Sequence, residues 1–307
     1  MSRQDILPYF RSAVLCQSES RSNFSRGAVN CSILSASGGD KGQKRPPESL
    51  EGSENIKLIL NRHSVENQYK VAQKIGTGFS SQVLFAIRRR DKQPTAIKVV
   101  DKNRLGAKCF LVENEVEISI LSNHRNICRL LEAYQTPNHF YIVFEYAENG
   151  DLYETLKSRR LTELETATIL KQIAAALTYL HNLKLCDFGL ACTVLGPLYR
   201  VCGTPAYCAP EVFRESGYDF PADIWSLGVV LHLMLVGFAP FRAATKQRLF
   251  NMIKRAAYNF NHPEWRRVSR PARDLVHRMM ALRPETRPTA FEVGLDDWVS
   301  DQVSQEL

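Results

Sequence analysis

The chain has 307 residues, 44% hydrophobic and 23% charged, with a net charge of +8. That length allows one large two-lobed domain with a tail, or two small domains, and the composition is that of a globular chain able to bury a sizeable core. No apolar run is long enough to cross a bilayer as a helix, and Arg11 interrupts the one apolar stretch near the N-terminus, so neither a spanning helix nor a secretory leader is expected. The basic balance favours acidic partners such as nucleotides, phosphates, microtubule surfaces or nucleic acid without choosing among them. Much of it reads as plain solvated surface, and no membrane or specific nucleic-acid partner is expected. The eight cysteines include no C-x-x-C pair and match no zinc spacing, which suits reduced thiols and a cytoplasmic setting.

In chain order, residues 1–66 are rich in Ser, Gly, Asn and charge and hold no apolar period, so a disordered Ser-rich tail is expected. Arg3, Arg11, Arg21 and Arg26 among serines also have a faint transit-peptide character. From Tyr69 the pattern changes. Tyr69 to Ile75 and Val83 to Ile87 read as strands around a Gly-rich turn, Thr95 to Val100 as a β-branched strand, and Phe110 to Leu121 as a helix. Phe140 to Phe144 forms a strand ending at Glu145, and Leu161 to His181 a long amphipathic helix. Ile224 to Val236 is apolar almost throughout, which predicts a buried helix, and Arg273 to Met280 predicts one more. Strands first and helices after predict an α+β fold of two lobes, about 67–146 and 147–300, with a short tail over 301–307.

Gly76-Thr77-Gly78-Phe79-Ser80-Ser81-Gln82-Val83 places glycines between two strands, where backbone N–H groups can approach phosphate oxygens. A plain hairpin explains the glycines equally well. Lys98, in Ala96-Ile97-Lys98, needs an anionic partner if its strand faces inward. Glu115 on the following helix fits, with Glu117 as competitor, and an edge-strand lysine is the alternative. Asp187-Phe188-Gly189 sets a carboxylate at a strand end before a flexible glycine, an arrangement that suits a hard cation such as Mg²⁺. Asp223 opens the buried helix, placed to bind backbone N–H groups. Arg287 is a candidate buried partner for Glu211 of Ala209-Pro210-Glu211.

Each feature alone is ambiguous, but their order is that of the protein-kinase set. From Tyr69 to about Val299 the chain resembles a serine/threonine protein kinase of the calmodulin-dependent group. The segments Gly196-Pro197-Leu198-Tyr199-Arg200-Val201-Cys202-Gly203-Thr204-Pro205-Ala206-Tyr207 and Gly237-Phe238-Ala239-Pro240-Phe241-Arg242 look like those of doublecortin-like kinases. The resemblance implies ATP and Mg²⁺ as cofactors. Ile75, Gly76, Gly78, Val83 and Ala96 would line the nucleotide site, with Phe144 as gatekeeper and Glu145 to Ala147 as hinge. Asp151 would sit near the ribose or face a basic residue of a protein substrate. Lys98 would hold the phosphates and pair with Glu115, and Asp187 would bind Mg²⁺. A microtubule link is implied by the family alone. Neither a doublecortin domain nor an autoinhibitory or calmodulin-binding helix is expected in this chain.

One part of the pattern is absent. Tyr179-Leu180-His181-Asn182 runs straight into Leu183-Lys184-Leu185-Cys186-Asp187, and no His-Arg-Asp occurs anywhere. The chain is roughly 25 residues short at this point, and the lost loop is the one that carries the base aspartate and an Mg²⁺-binding asparagine in the family. Both flanks are intact, which resembles a skipped exon or a faulty gene model more than gradual decay. Arg200 also stands where an activation-segment threonine is common in the group. Three readings follow: an active kinase, a nucleotide-binding pseudokinase or scaffold, and a truncated product without its own function. A strained cleft is expected, with Asn182 and Leu183 bridging the gap by fraying the long helix.

Overall fold

A computed structural model describes residues 65–78, 80–106, 109–148, 150–183, 185–186, 192–193, 205–213 and 217–304. The N-terminal tail over 1–64 lies outside the described residues. Five strands, β1 (Tyr69–Thr77), β2 (Ser81–Arg88), β3 (Pro94–Asp101), β4 (Leu130–Gln135) and β5 (His139–Glu145), form one antiparallel sheet in the order β1-β2-β3-β5-β4. Three helices belong to this lobe: α1 (Val65–Gln68), α2 (Lys102–Leu105) and α3 (Phe110–Leu121), the last with the bounds the sequence predicts.

Side chains alternate across a strand, so the sheet has two different faces. On one, Tyr69, Ala86, Ile97, Val99, Tyr134 and Val143 form a core closed by Val65 of α1. The hydroxyls of Tyr69 and Tyr134 both donate to the Glu132 carboxylate, and burial with that carboxylate pushes both phenols well above their usual range. On the other face, Val100, Phe140 and Ile142 pack against Val112 and Val116 of α3. Ala96 and Lys98 share this second face with Val83, Phe85 and Phe144, because they are opposite one another in the register.

The second lobe is helical: α4 (Leu152–Ser158), α5 (Glu163–Asn182), α6 (Pro221–Val236), α7 (Lys246–Lys254), α8 (Arg270–Met279), α9 (Ala290–Gly294) and α10 (Asp297–Ser304). Helix α5 starts at a capping box, in which Thr162 and Glu165 satisfy each other's backbone N–H groups. Helix α6 is buried nearly all round, which is why its sequence reads as continuously apolar. It begins with Pro221 in its first turn, three residues before the expected Ile224, and stops at Gly237, whose φ of 85° suits a glycine. At Gly228 the two helices α6 and α8 touch closely: a Cβ there would lie 2.8 Å from Met280 Cγ and 3.0 Å from Met279 Cβ.

The expected fraying at the end of α5 is not found. The helix is regular to Asn182, and the Leu183 N–H still donates to the Tyr179 carbonyl at 3.2 Å. Intrahelical hydrogen bonds continue to the chain's exit, so no unwinding is needed to reach the next element. That element is a two-stranded ribbon of β6 (Leu185–Cys186) and β7 (Cys192–Thr193), paired Leu185 with Thr193 and Cys186 with Cys192. Leu183 is left 41% exposed at the junction, an unusual place for a leucine.

Candidate nucleotide site

Strand β3 lies between β2 and β5, so Lys98 is on a central strand and the edge-strand alternative fails. Its ammonium lies 2.6 and 2.7 Å from the two carboxylate oxygens of Glu115, with both side chains largely buried. Helical spacing explains the partner. Glu115 lies on the stripe of α3 that carries Val112, Val116 and Ser119 toward the sheet, whereas Glu117 is exposed. A largely buried cation is stable only with such a charge-assisted, two-oxygen contact.

The apolar part of the same face is set by register. Ala96 is fully buried and Val83 nearly so, and Ala96 stands opposite Phe144 on β5 and Phe85 on β2. Phe85 meets Tyr146, just past β5, edge to face at 4.6 Å. The spacing of Val83 and Phe85, two apart on one strand, carries that signal, although only Val83 stands out in the sequence. Ala147 is buried, and Glu145 is tied down by the Arg129 N–H on its side chain and the Arg129 carbonyl on its backbone, each at 3.0 Å.

The Gly-rich segment joins β1 to β2 next to Val83. Gly76 pairs with Val83 across the β1–β2 register, and a Cβ at Gly76 would meet Val83 Cβ at 3.4 Å. Gly78 N–H donates to the Ser81 carbonyl at 2.7 Å, and Ile75 is partly exposed at 38%. Asp151 caps α4, accepting from the Glu154 N–H at 2.8 Å, which fixes its carboxylate at the start of the helical lobe. Asp187, with the rest of Asp-Phe-Gly, lies outside the described residues, as do Thr204, Arg200 and Tyr199. Among the described residues no group of three or more His, Cys, Asp or Glu could hold a metal ion.

Two contacts organise the helical lobe below the cleft. Glu211 and Arg287 form a buried two-pronged pair at 2.5 and 2.8 Å. The same guanidinium donates to the Pro221 and Ala281 carbonyls, each at 2.8 Å, and lies over the Trp225 ring. Asp223 does not act as the helix cap the sequence suggests. It is the third residue of α6, and its Oδ2 lies 2.9 Å from His181 Nε2, whose ring packs on Phe220. The helix starts three residues earlier than a cap at Asp223 would require, so its carboxylate is free to reach α5. The last turn of α5 is thereby fastened to α6 one residue before the junction.

The protein kinase domain model matches residues 69–183 and 181–299, two parts that meet at that junction. Similar proteins include serine/threonine-protein kinase DCLK3 of Homo sapiens, 33% identical over 280 residues, covering 82% of this chain and 43% of that protein. The human DCLK2 is 36% identical over 290 residues, 85% of this chain and 37% of that protein, and DCLK1 of Rattus norvegicus 34% over 265 residues, 78% and 61%. The chain thus spans less than half the length of the first two. The alignment to DCLK3 runs over 280 positions while taking 82% of 307 residues, so that relative has aligned residues with no counterpart here. With the two-lobed fold and the matched segments together, the chain belongs to the protein kinase family and is similar to its doublecortin-like serine/threonine members.

Proposed function

We propose that this chain binds ATP with Mg²⁺ in the cleft under its sheet, and that phosphoryl transfer to protein serine or threonine, the family activity, is impaired in it. The single observation that carries the binding half is the Lys98–Glu115 pair set two residues along β3 from the buried, small Ala96. An apolar surface followed at roughly 7 Å by an oriented cation fits a flat base joined to phosphates. Val83, Ala96 and Phe144 would enclose the base, Glu145 to Ala147 would run along its edge, and Asp151 would face the ribose. Lys98 would neutralise the α- and β-phosphates, held in place by Glu115. Gly76 and Gly78 would let the backbone approach the phosphates. Asp187 is the one carboxylate that the sequence offers for Mg²⁺.

The impaired half rests on the direct run from His181 to Asp187. Without a His-Arg-Asp loop the chain lacks the aspartate that accepts the substrate hydroxyl proton, worth about 10²–10⁴-fold alone. The second metal ligand goes with it, and losses inside one catalytic unit do not add. What remains binds and orients a nucleotide, which suits a scaffold in the cytoplasm with a protein partner. A link to microtubules stands on family analogy alone.

Thermal unfolding with and without Mg-ATP tests the binding half. A ligand bound only by the folded state at a hundred times its Kd stabilises by about 2.7 kcal/mol, and Lys98→Met removes that gain. No stabilisation of the unchanged protein overturns nucleotide binding. Label transfer from ATP to a basic peptide, abolished by Lys98→Met, overturns the impairment instead.

A further inference from the structure

Ser269 caps helix α8, its Oγ accepting from the Ala272 N–H at 3.4 Å, and follows Arg266, Arg267 and Val268. Two arginines just ahead of a serine are what arginine-directed serine kinases read, through carboxylates of their own. The structure gives this serine an unusual partner. Its N–H and hydroxyl donate to the two oxygens of Glu163, at 2.6 and 2.7 Å, and Trp298 Nε1 donates to the same carboxylate at 2.7 Å. Glu163 opens α5, Ser269 caps α8 and Trp298 lies in α10, so one carboxylate ties three helices together. Trp298 and Val299 are buried, and this tie holds α10 at the base of the lobe.

The surroundings are rich in arginine. Arg266 is exposed and makes no ion pair among the described residues. Arg267 reaches Glu264 at 3.5 Å, Arg270 reaches Asp274 at 3.7 Å, and Arg273 grips the Val268 carbonyl at 2.6 and 3.0 Å. A similar run, Arg159-Arg160-Leu161-Thr162, precedes α5, but there both arginines are engaged, with Glu165 at 2.8 Å and Glu264 at 2.7 Å. Thr162 is further committed to the capping box.

We propose that Ser269 is a phosphorylation site for an arginine-directed protein kinase, and that its modification unlatches α10 from Glu163. In the transfer, Ser269 Oγ forms a bond to the γ-phosphorus of ATP held by the modifying kinase. The bond from that phosphorus to the bridging oxygen breaks, ADP leaves, and the hydroxyl proton passes to the base of that kinase. The product has no hydroxyl proton to give Glu163 and sets a dianion against its carboxylate. The start of α8, Arg266 and Arg270 favour the phosphate turned outward, away from Glu163. Because the hydroxyl is engaged in the folded chain, the tie must open before transfer, and the phosphate then keeps it open.

The test treats the full chain with ATP and the catalytic subunit of cyclic-AMP-dependent protein kinase. Ser269→Asn, which retains a capping side chain but no hydroxyl, is the control. Peptide masses are expected to place one phosphate on Ser269 and none at position 269 of the variant. Amides of residues 297–304 are expected to exchange roughly tenfold faster after modification, the effect of losing one charge-assisted hydrogen bond. Glu163→Gln, confirmed folded by its cooperative unfolding, is expected to be phosphorylated severalfold faster. An unmodified Ser269 overturns the site, and a phosphate there without faster exchange over 297–304 overturns the latch.

Discussion

The two walls of the cleft come from different kinds of chain. The upper wall is built entirely within residues 65–148, by strands whose register fixes which side chains share a face. Val83, Ala96, Lys98 and Phe144 meet because they sit opposite one another, and Glu115 joins them from one helix packed on that face. The lower wall in a protein kinase depends on a loop between the long helix and Asp-Phe-Gly, and here that loop is absent. Its absence leaves the helical core in place: α5 ends regularly, His181 fastens it to Asp223, and Arg287 holds Glu211. A loop can therefore be missing while the packing stays, because the packing here is carried by helices.

The largest effect should come from restoring the missing part. Inserting a family catalytic loop of about 25 residues between Asn182 and Leu183, with its His-Arg-Asp and asparagine, should raise peptide phosphorylation by at least about 10²-fold. Lys98→Met in the same protein should abolish the gain. If the insertion leaves transfer at background while Mg-ATP still stabilises the fold, the defect lies in more than the lower wall, and the contrast between the two walls breaks.

Next in size is a change that leaves the upper wall untouched. Arg287→Leu strands the Glu211 carboxylate in the core and takes the donor from the Pro221 and Ala281 carbonyls as well. Losing one partner of a buried pair costs about 3–5 kcal/mol. Denaturant unfolding should show that loss. A variant within 1 kcal/mol of the parent would mean, at roughly the scale of an ordinary surface change, that the helical lobe relaxes around the stranded charge.

Much of this was legible in the sequence where one periodicity governs, and less where two segments of chain meet. Phe110–Leu121 keeps its predicted bounds because its apolar spacing is uninterrupted. Strand β4 is absent from the predicted strands, and a register irregularity between Leu130 and Glu132 breaks its period of two. Glu115 was the expected partner of Lys98, with Glu117 left as competitor, and the structure decides for Glu115 because it lies on the sheet side of the helix. The partner of Asp223 could not be foreseen, since His181 is 42 residues away and reaches it only through the packing of α5 on α6. Ser269 and Glu163 are further apart still, 106 residues, and only the folded lobe brings them together. For Asp187 the sequence remains the sole source, as that carboxylate lies outside the described residues.

The smallest of these effects separates the lobes by pH. His232 on α6 is 1% exposed, ringed by Phe238, Tyr258 and Trp265, with Nδ1 3.0 Å from the Phe238 carbonyl. Burial pushes its imidazole down from 6.5 to about 4, against the opposing pull of that carbonyl and with a small push from Arg242. Above pH 6.5 both folded and unfolded forms are neutral, and the group contributes no slope. Below it the unfolded chain takes up a proton that the folded chain refuses, so stability falls as pH drops from 6.5 toward 4. The full loss is roughly 3 kcal/mol, since each tenfold drop in proton affinity is worth about 1.4 kcal/mol. His232→Phe keeps the ring but has nothing to titrate. It should lower the plateau by the lost hydrogen bond and flatten the fall between pH 6.5 and 4. If both proteins lose stability in parallel over that window, the acid sensitivity arises elsewhere, and the helical lobe owes none of it to His232.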